Sequence, residues 1–360
     1  MTRRPVTVIL TCGGGPGILA QVEALRCSER YEARIVLADA NPASGNLFLP
    51  EVDARYRLPL CQDPDFIPAL RRLIEAEGAT ALYSGLDEEM PVLSRHREEF
   101  ESLDCRLLLP PAEALDRSWD KAATAERLDG LVDMPRTVEI DDETDPAWIW
   151  RELGPRLVIK ATKSRGGRFI FLPEDEEELR FYWRRARKYA TERGLTFQAQ
   201  EFIDGDEYNV TTLHDTARRL IYAVSRRKFE TRAIKSTTTA AVIERRQDII
   251  DLAVTAVEAM DLVPGFNNVE VIADHRDGRP YFIEINGGRT AAQDLNLIAS
   301  GINVTDLLLD IVNGDEVEPI DHPPGRSGVL EDPQRRDRSV LRHRSRIPAV
   351  TVSWSARPWH

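Results

Sequence analysis

The sequence predicts an α/β domain followed by an α+β region, and three observations lead to this. The first third alternates short apolar strands with amphipathic helices, the pattern of βαβ units and a doubly wound parallel sheet. Further along, strands follow one another through short polar turns, as in antiparallel sheets. The 360 residues are 42% apolar and 30% charged, which is typical of a globular protein with two or three domains.

The first domain is predicted to cover residues 1–112. Its strands are VTVILTC, ARIVLADAN, TALYSGL and CRLLLP. Its helices are ILAQVEALRCS, DPDFIPALRRLIEAEG and EEMPVLSRHREEFESL, and the second of these carries apolar residues at helical spacing. The loop GGGPG joins the first strand to the first helix.

The second region begins with a helix that we expect to start at Ser118, a suitable N-cap residue, with Lys121 in its first turn. Strands follow at RLVIKAT, FIFL, FQAQEFI, EYNVTTLHD and RLIYAVSRR, with a charged helix at 174–193 before the third. A helix at 249–260 precedes a hairpin, NNVEVIAD and RPYFIEIN, and VTDLLLDIVNG is the last helix. The predicted units are a small lobe at 113–195, a large lobe at 196–316 and a loosely packed or disordered basic tail at 317–360.

Charge and cysteine content exclude several classes of function. A net charge of −12 argues against a nucleic-acid-binding surface. The exception is the basic stretch at 335–346, which is either a solvated tail or an arm that binds nucleic acid or a partner. No apolar run approaches the roughly 18 residues that span a bilayer, and VTVIL indicates a first strand rather than a signal peptide. The four cysteines lack metal-type spacing, which favours reduced thiols and a cytoplasmic location.

The glycine loop raises the first candidate function. The stretch Gly15 to Ala20, GPGILA, fits the G-x-G-x-x-A dinucleotide fingerprint, and Asp39 ends the following strand. Taken alone, this pattern favours an NAD(P)-dependent oxidoreductase. A tight strand-to-helix turn without a ligand is the alternative, since Pro16 lies where a backbone N–H would meet the pyrophosphate.

Two stretches of the second region indicate instead that the ligand is a nucleoside triphosphate. Lys160 ends the apolar strand LVIK and leads into ATKSRGGR, whose glycines can present backbone N–H groups to phosphate oxygens. In QEFIDGDEYNV, the backbone from Glu201 to Ile203 could contact an adenine edge, and Glu207 could accept hydrogen bonds from ribose hydroxyls. Solvated surface charge is the alternative for each glutamate.

The hairpin predicts a metal site. Glu284 and Asn286 share one face of a strand, and Glu270 lies fourteen residues upstream. A turn of three or five residues would place the two glutamates directly opposite each other, whereas two or four would separate them. Opposed carboxylates destabilise a hairpin by roughly 0.2–1 kcal/mol unless a cation joins them. A salt bridge is one solution, and Mg²⁺ held by carboxylate and amide oxygens is the one we favour.

Together, these motifs resemble the ATP-grasp superfamily, in particular proteins similar to the large subunit of carbamoyl phosphate synthase. The resemblance covers about Val6 to Gly314 and includes DKAATAERL, VIKATKSRGGRF, QEFIDGDEYNV and NNVEVI with YFIEIN. It implies a pre-ATP-grasp domain, a two-lobed ATP-grasp domain, and ATP with Mg²⁺ or Mn²⁺ as cofactors. The implied activity is a ligase that joins a carboxylate to an amine, or to a thiol, through an acyl phosphate.

The resemblance also implies roles for individual residues. It places Glu270, Glu284 and Asn286 at the metal, and Arg289 and Lys235 at the transferred phosphoryl group or the substrate. The implied nucleotide contacts are Lys121, Lys160, Gly166 and Gly167 at the phosphates, Glu201, Phe202 and Ile203 at the adenine, and Glu207 at the ribose.

The chain also departs from the family pattern. It reads EINGGR where the family has E-x-N-P-R, and it has a single ATP-grasp unit, so synthesis of carbamoyl phosphate is not expected. The expected partners are small carboxylates and amines, such as an amino acid or peptide, and a second copy of the chain in a homodimer. A non-catalytic, ATP-binding regulatory protein on the same fold is the second alternative.

Overall fold

The computed structural model describes residues 2–141, 143–164, 169–231, 238–289, 297–298 and 300–321. The elements of the first domain are β1 (Arg4–Thr11), α1 (Pro16–Arg26), β2 (Tyr31–Asp39), a 3₁₀ helix (Gly45–Phe48), β3 (Ala54–Arg57), α2 (Phe66–Glu77), β4 (Ala81–Ser84), α3 (Glu89–Arg95) and α4 (Arg97–Glu101).

The elements that follow form the rest of the described chain. They are α5 (Ala112–Trp119), α6 (Lys121–Leu128), β5 (Thr137–Ile140), α7 (Pro146–Leu153), β6 (Leu157–Ala161), β7 (Ile170–Phe171), α8 (Glu176–Arg193), β8 (Phe197–Glu201), β9 (Gly205–His214), β10 (Leu220–Thr231), β11 (Thr238–Ile243), α9 (Gln247–Ala259), β12 (Gly265–Asp274), β13 (Pro280–Gly287) and α10 (Val304–Val312).

The first domain contains a parallel sheet in the order β3-β2-β1-β4, which confirms the doubly wound prediction. Val8 of β1 lies between Ile35 of β2 and Ala81 of β4. Successive residues of β1 enter different cores, since Val8 and Ile9 belong to separate buried clusters. This is expected of a parallel sheet that is covered on both faces.

Two predictions for the first domain were wrong. The stretch CRLLLP forms only an isolated bridge between Arg106 and Ala81, and its leucines are buried in the cores on either side. The prolines that follow lack the N–H groups that would extend a ladder. The single helix predicted over EEMPVLSRHREEFESL is divided at His96, whose backbone (φ −103°, ψ 16°) leaves the helical region.

The last helix returns to the first domain. Helix α10 packs against α1, and its Asp310 accepts hydrogen bonds from Arg4 at 2.9 Å and from the Tyr31 hydroxyl at 2.7 Å. Helix α10, near the end of the large lobe, is therefore held against the first domain by a buried, charge-assisted contact.

The second region consists of two antiparallel sheets, as predicted. The small lobe has the order β5-β8-β6-β7 and its own apolar cluster, which includes Ile149, Trp183 and Phe197. The large lobe has the order β11-β10-β9-β12-β13, and helix α9 packs against four of its strands. Among the described helices, none combines the length and the apolar character that crossing a membrane requires.

The start of helix α6 differs from the prediction. Ser118 lies inside α5, where its hydroxyl donates to the carbonyl of Leu115 at 2.8 Å. Asp120 is the N-cap of α6, and its carboxylate accepts from the N–H groups of Ala122 and Ala123. Lys121 is the first residue of α6, so its predicted place in the first turn is confirmed.

A buried carboxyl lies at the carboxyl ends of β1 and β4. Glu89 accepts hydrogen bonds from the hydroxyls of Thr11 and Ser84, the second at 2.6 Å. Burial raises the pKa of Glu89 above its ordinary value, although the two hydroxyls act in the opposite direction. The native state therefore retains a proton here at pH values where the unfolded chain has lost it.

We expect Glu89→Gln to change how stability depends on pH. Because a raised carboxyl pKa makes the native state lose stability as pH rises through the interval between the unfolded and folded pKa values, the neutral amide removes that loss. The unfolding free energy of the variant relative to the wild type should increase from pH 4 upwards and level off once Glu89 is ionised in the native protein. Denaturant titrations across this pH range measure it, and a difference that does not change with pH would contradict it.

Candidate functional site

The two hairpin glutamates lie directly opposite each other. Glu270 of β12 pairs with Glu284 of β13, and Asn268 pairs with Asn286 one step further on. Near the turn Ala273 pairs with Pro280, a register that by itself would put Ile283 opposite Glu270. A bulge between the Glu270 and Val271 pairs restores the alignment, so strand irregularity as well as turn length sets the geometry.

Lysines approach both carboxylates. Lys121 Nζ lies 3.5 Å from Glu284 Oε1, and Lys228 of β10 contacts Glu270 and lies 3.7 Å from Glu207 Oε2. Burial lowers the pKa of Lys228, but attraction from Glu270, Glu207 and Glu284 outweighs it and the net pKa is raised. Each glutamate therefore forms an ion pair with a lysine, as in the salt-bridge alternative that the sequence left open.

Buried polar side chains of neighbouring strands position Glu270 and Asn268 through hydrogen bonds. Asn209 Nδ2 donates to Glu270 Oε1 at 3.0 Å, and Arg226, which is fully buried, donates to Asn209 Oδ1 at 2.8 Å. Thr211 Oγ1 donates to Asn268 Oδ1 at 3.2 Å. Hydrogen bonds of this kind fix the direction in which each acceptor oxygen points.

The donor set fits a hard divalent cation. Within the described part of the chain, no group of three or more Asp, Glu, His or Cys side chains could hold a metal by itself. Two opposed carboxylates and the amide of Asn286 supply oxygen ligands, and phosphate oxygens of a nucleotide would complete the set that Mg²⁺ prefers. The carboxylates of Glu207, Glu270 and Glu284 also outnumber the ammonium groups of Lys121 and Lys228.

A cavity of about 560 Å³ opens beside Glu284, between the small-lobe sheet and β13. This volume lies within the range of nucleotide-sized ligand sites. Lys121 and Lys160 bring positive charge to its wall, and Val132, Met134 and Phe282 contribute apolar surface. The combination suits a ligand with an apolar ring and an anionic chain.

Lys160 is held in place by a chain of hydrogen bonds. Its Nζ donates to Gln200 Oε1 at 2.8 Å, and Gln200 Nε2 donates to the hydroxyl of Thr137 at 3.0 Å. Gln198 is directly opposite Lys160 in the β6–β8 ladder. Since only about 6% of Lys160 is exposed, its ammonium group has few orientations available.

Arg289 connects the end of strand β13 to the first domain through an ion pair. It follows β13 directly, and its Nε donates to the carboxylate of Asp87, which lies between β4 and α3. Burial lowers the pKa of Arg289, but the attraction of Asp87 outweighs this and keeps the guanidinium charged. Asp87, Glu284 and Asn286 line one small cavity, so Arg289, through Asp87, lies near the hairpin residues Glu284 and Asn286.

Family comparison agrees with this geometry. Residues 118–292 match the model of the ATP-grasp domain, and residues 9–108 match that of the PylC-like N-terminal domain. The chain carries an ATP-grasp domain. The resemblance to the ATP-grasp superfamily that the motifs predicted is thereby confirmed.

Two curated relatives match the ATP-grasp domain and its surroundings. Biotin carboxylase of Pseudomonas aeruginosa is 25% identical over 267 residues, 70% of this chain and 58% of that protein. The carbamoyl phosphate synthase large chain of Halobacterium salinarum is 23% identical over 339 residues, 88% of this chain and 31% of that protein. The chain therefore spans less than two thirds of the length of either relative.

Solved structures show the same fold. The biotin carboxylase domain of 2-oxoglutarate carboxylase from Hydrogenobacter thermophilus, solved as a dimer with MgADP and bicarbonate, has a TM-score of 0.69 at 18% identity, covering 89% of this chain and 72% of that one. N5-carboxyaminoimidazole synthetase from Staphylococcus aureus, solved with ADP, has a TM-score of 0.65 at 12% identity, covering 88% and 80%. L-amino acid ligase from Bacillus licheniformis has a TM-score of 0.63 at 19% identity, covering 89% and 79%.

The expected adenine contacts lie at the end of β8 in the ATP-grasp domain. Glu201 forms an ion pair with Arg136 at 3.0 Å, and the N–H of Phe202 donates to the carbonyl of Arg156 at 3.1 Å. Ile203 is buried, and its backbone makes no hydrogen bond to another described residue. Gln198 and Gln200 line the large cavity, whereas Glu201, Phe202 and Ile203 lie beyond its lining.

Three predicted site residues cannot be placed. Gly166 and Gly167, expected to cover the phosphates, and Lys235, expected at the substrate, lie outside the described residues. The same holds for most of the predicted tail, from residue 322 onwards.

The glycine loop of the first domain is held by Asp39. The two carboxylate oxygens of Asp39 accept from the N–H groups of Gly14 and Asn41, both at 2.7 Å. The amide of Asn46 donates to the carbonyls of Gly13 and Gly15. The carboxylate that would contact a dinucleotide ribose already fixes the loop, which weighs against the oxidoreductase alternative.

Sequence reasoning missed Lys228, Gln200 and Asp87. A signal existed for the first two, because Arg226 and Lys228 share one face of β10, and Gln198 and Gln200 share one face of β8. No local pattern marks Asp87, since it lies 202 residues from Arg289.

We expect Gln200→Leu to weaken nucleotide binding about tenfold. Without the amide oxygen, the ammonium of Lys160 loses its direction and its charge-assisted hydrogen bond, a contribution of roughly 1.5–3 kcal/mol where the group is buried. Calorimetric titration with MgATP measures the dissociation constant. Gln198→Leu is the control at the same sheet face, because Gln198 has no hydrogen bond to Lys160 among those that the structure defines. Equal effects of both substitutions would contradict the orienting role.

Proposed function

We propose that this chain is an ATP-dependent ligase that joins a carboxylate to an amine through an acyl phosphate. The observation that carries the proposal is the pair Glu270–Glu284, placed directly opposite each other beside a nucleotide-sized cavity that contains Lys121 and Lys160. An oxidoreductase function would give no role to the two lysines or to the carboxylate pair.

ATP is proposed to occupy the large cavity. Lys121 and Lys160 would contact its phosphates, and the apolar wall would receive the adenine. Ile203 lies beyond the cavity lining, and we propose that its backbone groups hydrogen-bond to the adenine edge when ATP is bound. Glu201 and Phe202 would flank that contact, and Glu207 would reach the ribose. We propose that Gly166 and Gly167 close over the phosphates.

Glu270, Glu284 and Asn286 are proposed to hold Mg²⁺ at the phosphate end of the cavity. When bound, the cation supplies positive charge against the phosphate oxygens, which is worth several kcal/mol in reactions of this class. Lys121 and Lys228 would then keep Glu284 and Glu270 oriented in the absence of nucleotide.

The chemistry follows from this arrangement. A carboxylate oxygen of the substrate forms a bond to the γ-phosphorus, and ADP leaves with the electron pair of the broken bond. The amine nitrogen then attacks the acyl carbon, phosphate departs with the carbon–oxygen pair, and the amine proton is lost to solvent. Lys160 stabilises charge on the phosphates, and Arg289, with Lys235, stabilises the transferred phosphoryl group and the acyl phosphate.

Domain boundaries and assembly belong to the same proposal. We propose a first domain at 1–112, followed by a small lobe that begins at 113 and a large lobe that ends at 316. The sequence predicted the boundary between the lobes at 195, but β8 (Phe197–Glu201) pairs with β5 and β6 of the small-lobe sheet, so we now place this boundary after Glu201. We propose that the small lobe, which has its own apolar cluster, closes the cleft. A homodimer is proposed for the assembled protein, and light scattering in solution tests it.

The test is release of ADP and phosphate from MgATP with small carboxylates and amines, supplied singly and in pairs. Release that needs a particular pair supports the ligase. Tight ATP binding with no release for any pair would support the alternative, a nucleotide-binding regulatory protein on this fold.

A further inference from the structure

The ion pair Asp87–Arg289 stands at the boundary between the first domain and the metal strand. Arg289 comes two residues after β13, and Asp87 comes from the loop between β4 and α3. About 24% of the Arg289 side chain and 13% of the Asp87 side chain are exposed. Opposite charges at this depth interact more strongly than a surface pair would.

Within the described part of the chain, the pair uses only part of its hydrogen-bonding capacity. Arg289 contacts Asp87 Oδ1 through Nε, on one edge of the guanidinium. Among the residues that the structure describes, neither the two terminal nitrogens of Arg289 nor Asp87 Oδ2 makes a hydrogen bond. A guanidinium with both terminal groups available is suited to a carboxylate, and a free carboxylate oxygen is suited to an ammonium group.

A small cavity adjoins this pair. It has a volume of about 20 Å³, enough for one water molecule or one ammonium group. Asp87 lines it together with Glu284 and Asn286, and Leu115 and Trp119 form its apolar side. Two carboxylates at one small cavity favour a cationic occupant over an anionic one.

We infer that Asp87 and Arg289 together form the receptor for the head group of an α-amino acid, whose carboxylate is the one that this ligase activates. Arg289 takes the carboxylate and Asp87 takes the ammonium group. Because an α-amino acid carries both groups on one carbon, a guanidinium and a carboxylate in direct contact match their separation. This inference rests on the proposed ligase function and names the class of its activated substrate.

A simple carboxylate satisfies the receptor only in part. Its carboxylate would bind to Arg289, but it has no ammonium group to interact with Asp87. The unsatisfied hydrogen-bonding group of a buried polar site lowers the affinity, so such a site discriminates strongly against this ligand. The amino acid therefore binds better than the same skeleton without its amino group. A simple amine lacks the oxygen that is phosphorylated.

The experiment compares matched ligands in wild-type protein and in Asp87→Asn. The ligands are glycine, both enantiomers of the other nineteen common amino acids, and the corresponding carboxylates that lack the amino group. Direct binding is measured by calorimetry in the presence of Mg²⁺ and a non-hydrolysable ATP analogue, and ADP release is measured with ATP. Asp116→Asn is the matched control, because Asp116 also pairs with an arginine, Arg95, but at an exposed position on α5.

The expected result is selective. At least one amino acid should bind about tenfold or more tightly than its deaminated counterpart, as a charge-assisted contact provides. Asp87→Asn should remove most of that preference and leave the affinity for the deaminated carboxylate within about threefold, while Asp116→Asn changes neither. If Asp87→Asn does not fold, the wild-type comparison alone decides.

The other outcomes separate this inference from the ligase proposal. Carboxylates that bind and release ADP as well as their amino acids do would leave the ligase intact and overturn the head-group receptor. Equal losses for both ligand classes in Asp87→Asn would show that Asp87 only positions Arg289. Amino acids that bind selectively but never release ADP would keep the receptor and overturn the ligase, and the absence of both binding and release would overturn the two together.

Discussion

Glu284→Ala is expected to lower turnover by about a hundredfold or more. The substitution removes a carboxylate that lies opposite Glu270 and beside Lys121, so it takes away a proposed metal ligand and the carboxylate partner of Lys121. A loss of this size corresponds to about 2.7 kcal/mol, at ~1.4 kcal/mol per tenfold, which lies within the several kcal/mol that charge stabilisation by a metal provides. Steady-state release of ADP at saturating ATP measures it.

The matched control for this prediction is Glu139→Ala. Glu139 is an exposed glutamate on the small-lobe strand β5, away from the hairpin, so its removal tests the generic effect of losing a strand carboxylate. It should leave turnover within about twofold, because surface substitutions change little. A Glu284→Ala protein that retains near-full activity would show that the metal assignment is wrong.

Lys228→Met is expected to destabilise the protein by about 3 kcal/mol in the absence of divalent cations. Lys228 is about 8% exposed and contacts Glu270, with Glu207 at 3.7 Å, so its removal takes away the ammonium group that pairs with Glu270. Breaking a buried pair from one side costs about 3–5 kcal/mol. The lower end applies here, since the carboxylates keep about a quarter of their surface exposed. Urea unfolding with a chelator present measures the loss.

The cause of that loss can be tested with a second substitution and with the cation itself. Glu270→Gln in the Lys228→Met background should recover more than half of the lost stability, because the unpaired charge is gone. Mg²⁺ should stabilise Lys228→Met more than the wild type, since a ligand that binds only the native state raises its stability and no ammonium group competes for Glu270. A loss that neither change relieves would point to packing of the lysine chain instead of charge.

Much of this fold is predictable from local patterns. Alternating strands and amphipathic helices predict the parallel sheet around β1, and the polar turns after residue 196 predict the antiparallel large lobe. The opposition of Glu270 and Glu284 is predictable only conditionally. Near the turn, Ala273 pairs with Pro280, a register that alone would not align the two glutamates. A bulge restores their alignment, and the hydrophobic pattern of the sequence does not reveal this bulge.

The errors have local physical causes. Ser118 and Asp120 are both good N-cap residues, and the choice depends on where α5 ends, since the Ser118 hydroxyl is already used inside that helix. The leucines of CRLLLP have the composition of a strand, but burial between two cores explains them equally well. Composition alone does not separate a buried strand from a buried extended segment.

The candidate site was predictable where residues act within one hairpin or one loop. The juxtaposition of Glu270, Glu284 and Asn286, the proposed metal ligands, belongs to this kind. Asp87 and Arg289 do not, because 202 residues separate them and only the packing of the first domain against β13 brings them together. Side-chain pairs between domains carry no periodicity, and this is why a single sequence does not reveal them.

The central claim is that a substrate carboxylate is activated as an acyl phosphate. It is tested most directly with a carboxylate substrate labelled with ¹⁸O, once release assays have identified the active pair, by mass analysis of the products. The proposed reaction transfers one labelled oxygen from the carboxylate to inorganic phosphate, with ADP as the nucleotide product. Unlabelled phosphate, or label found in AMP, would show that the carboxylate does not attack the γ-phosphorus and would contradict the proposed mechanism.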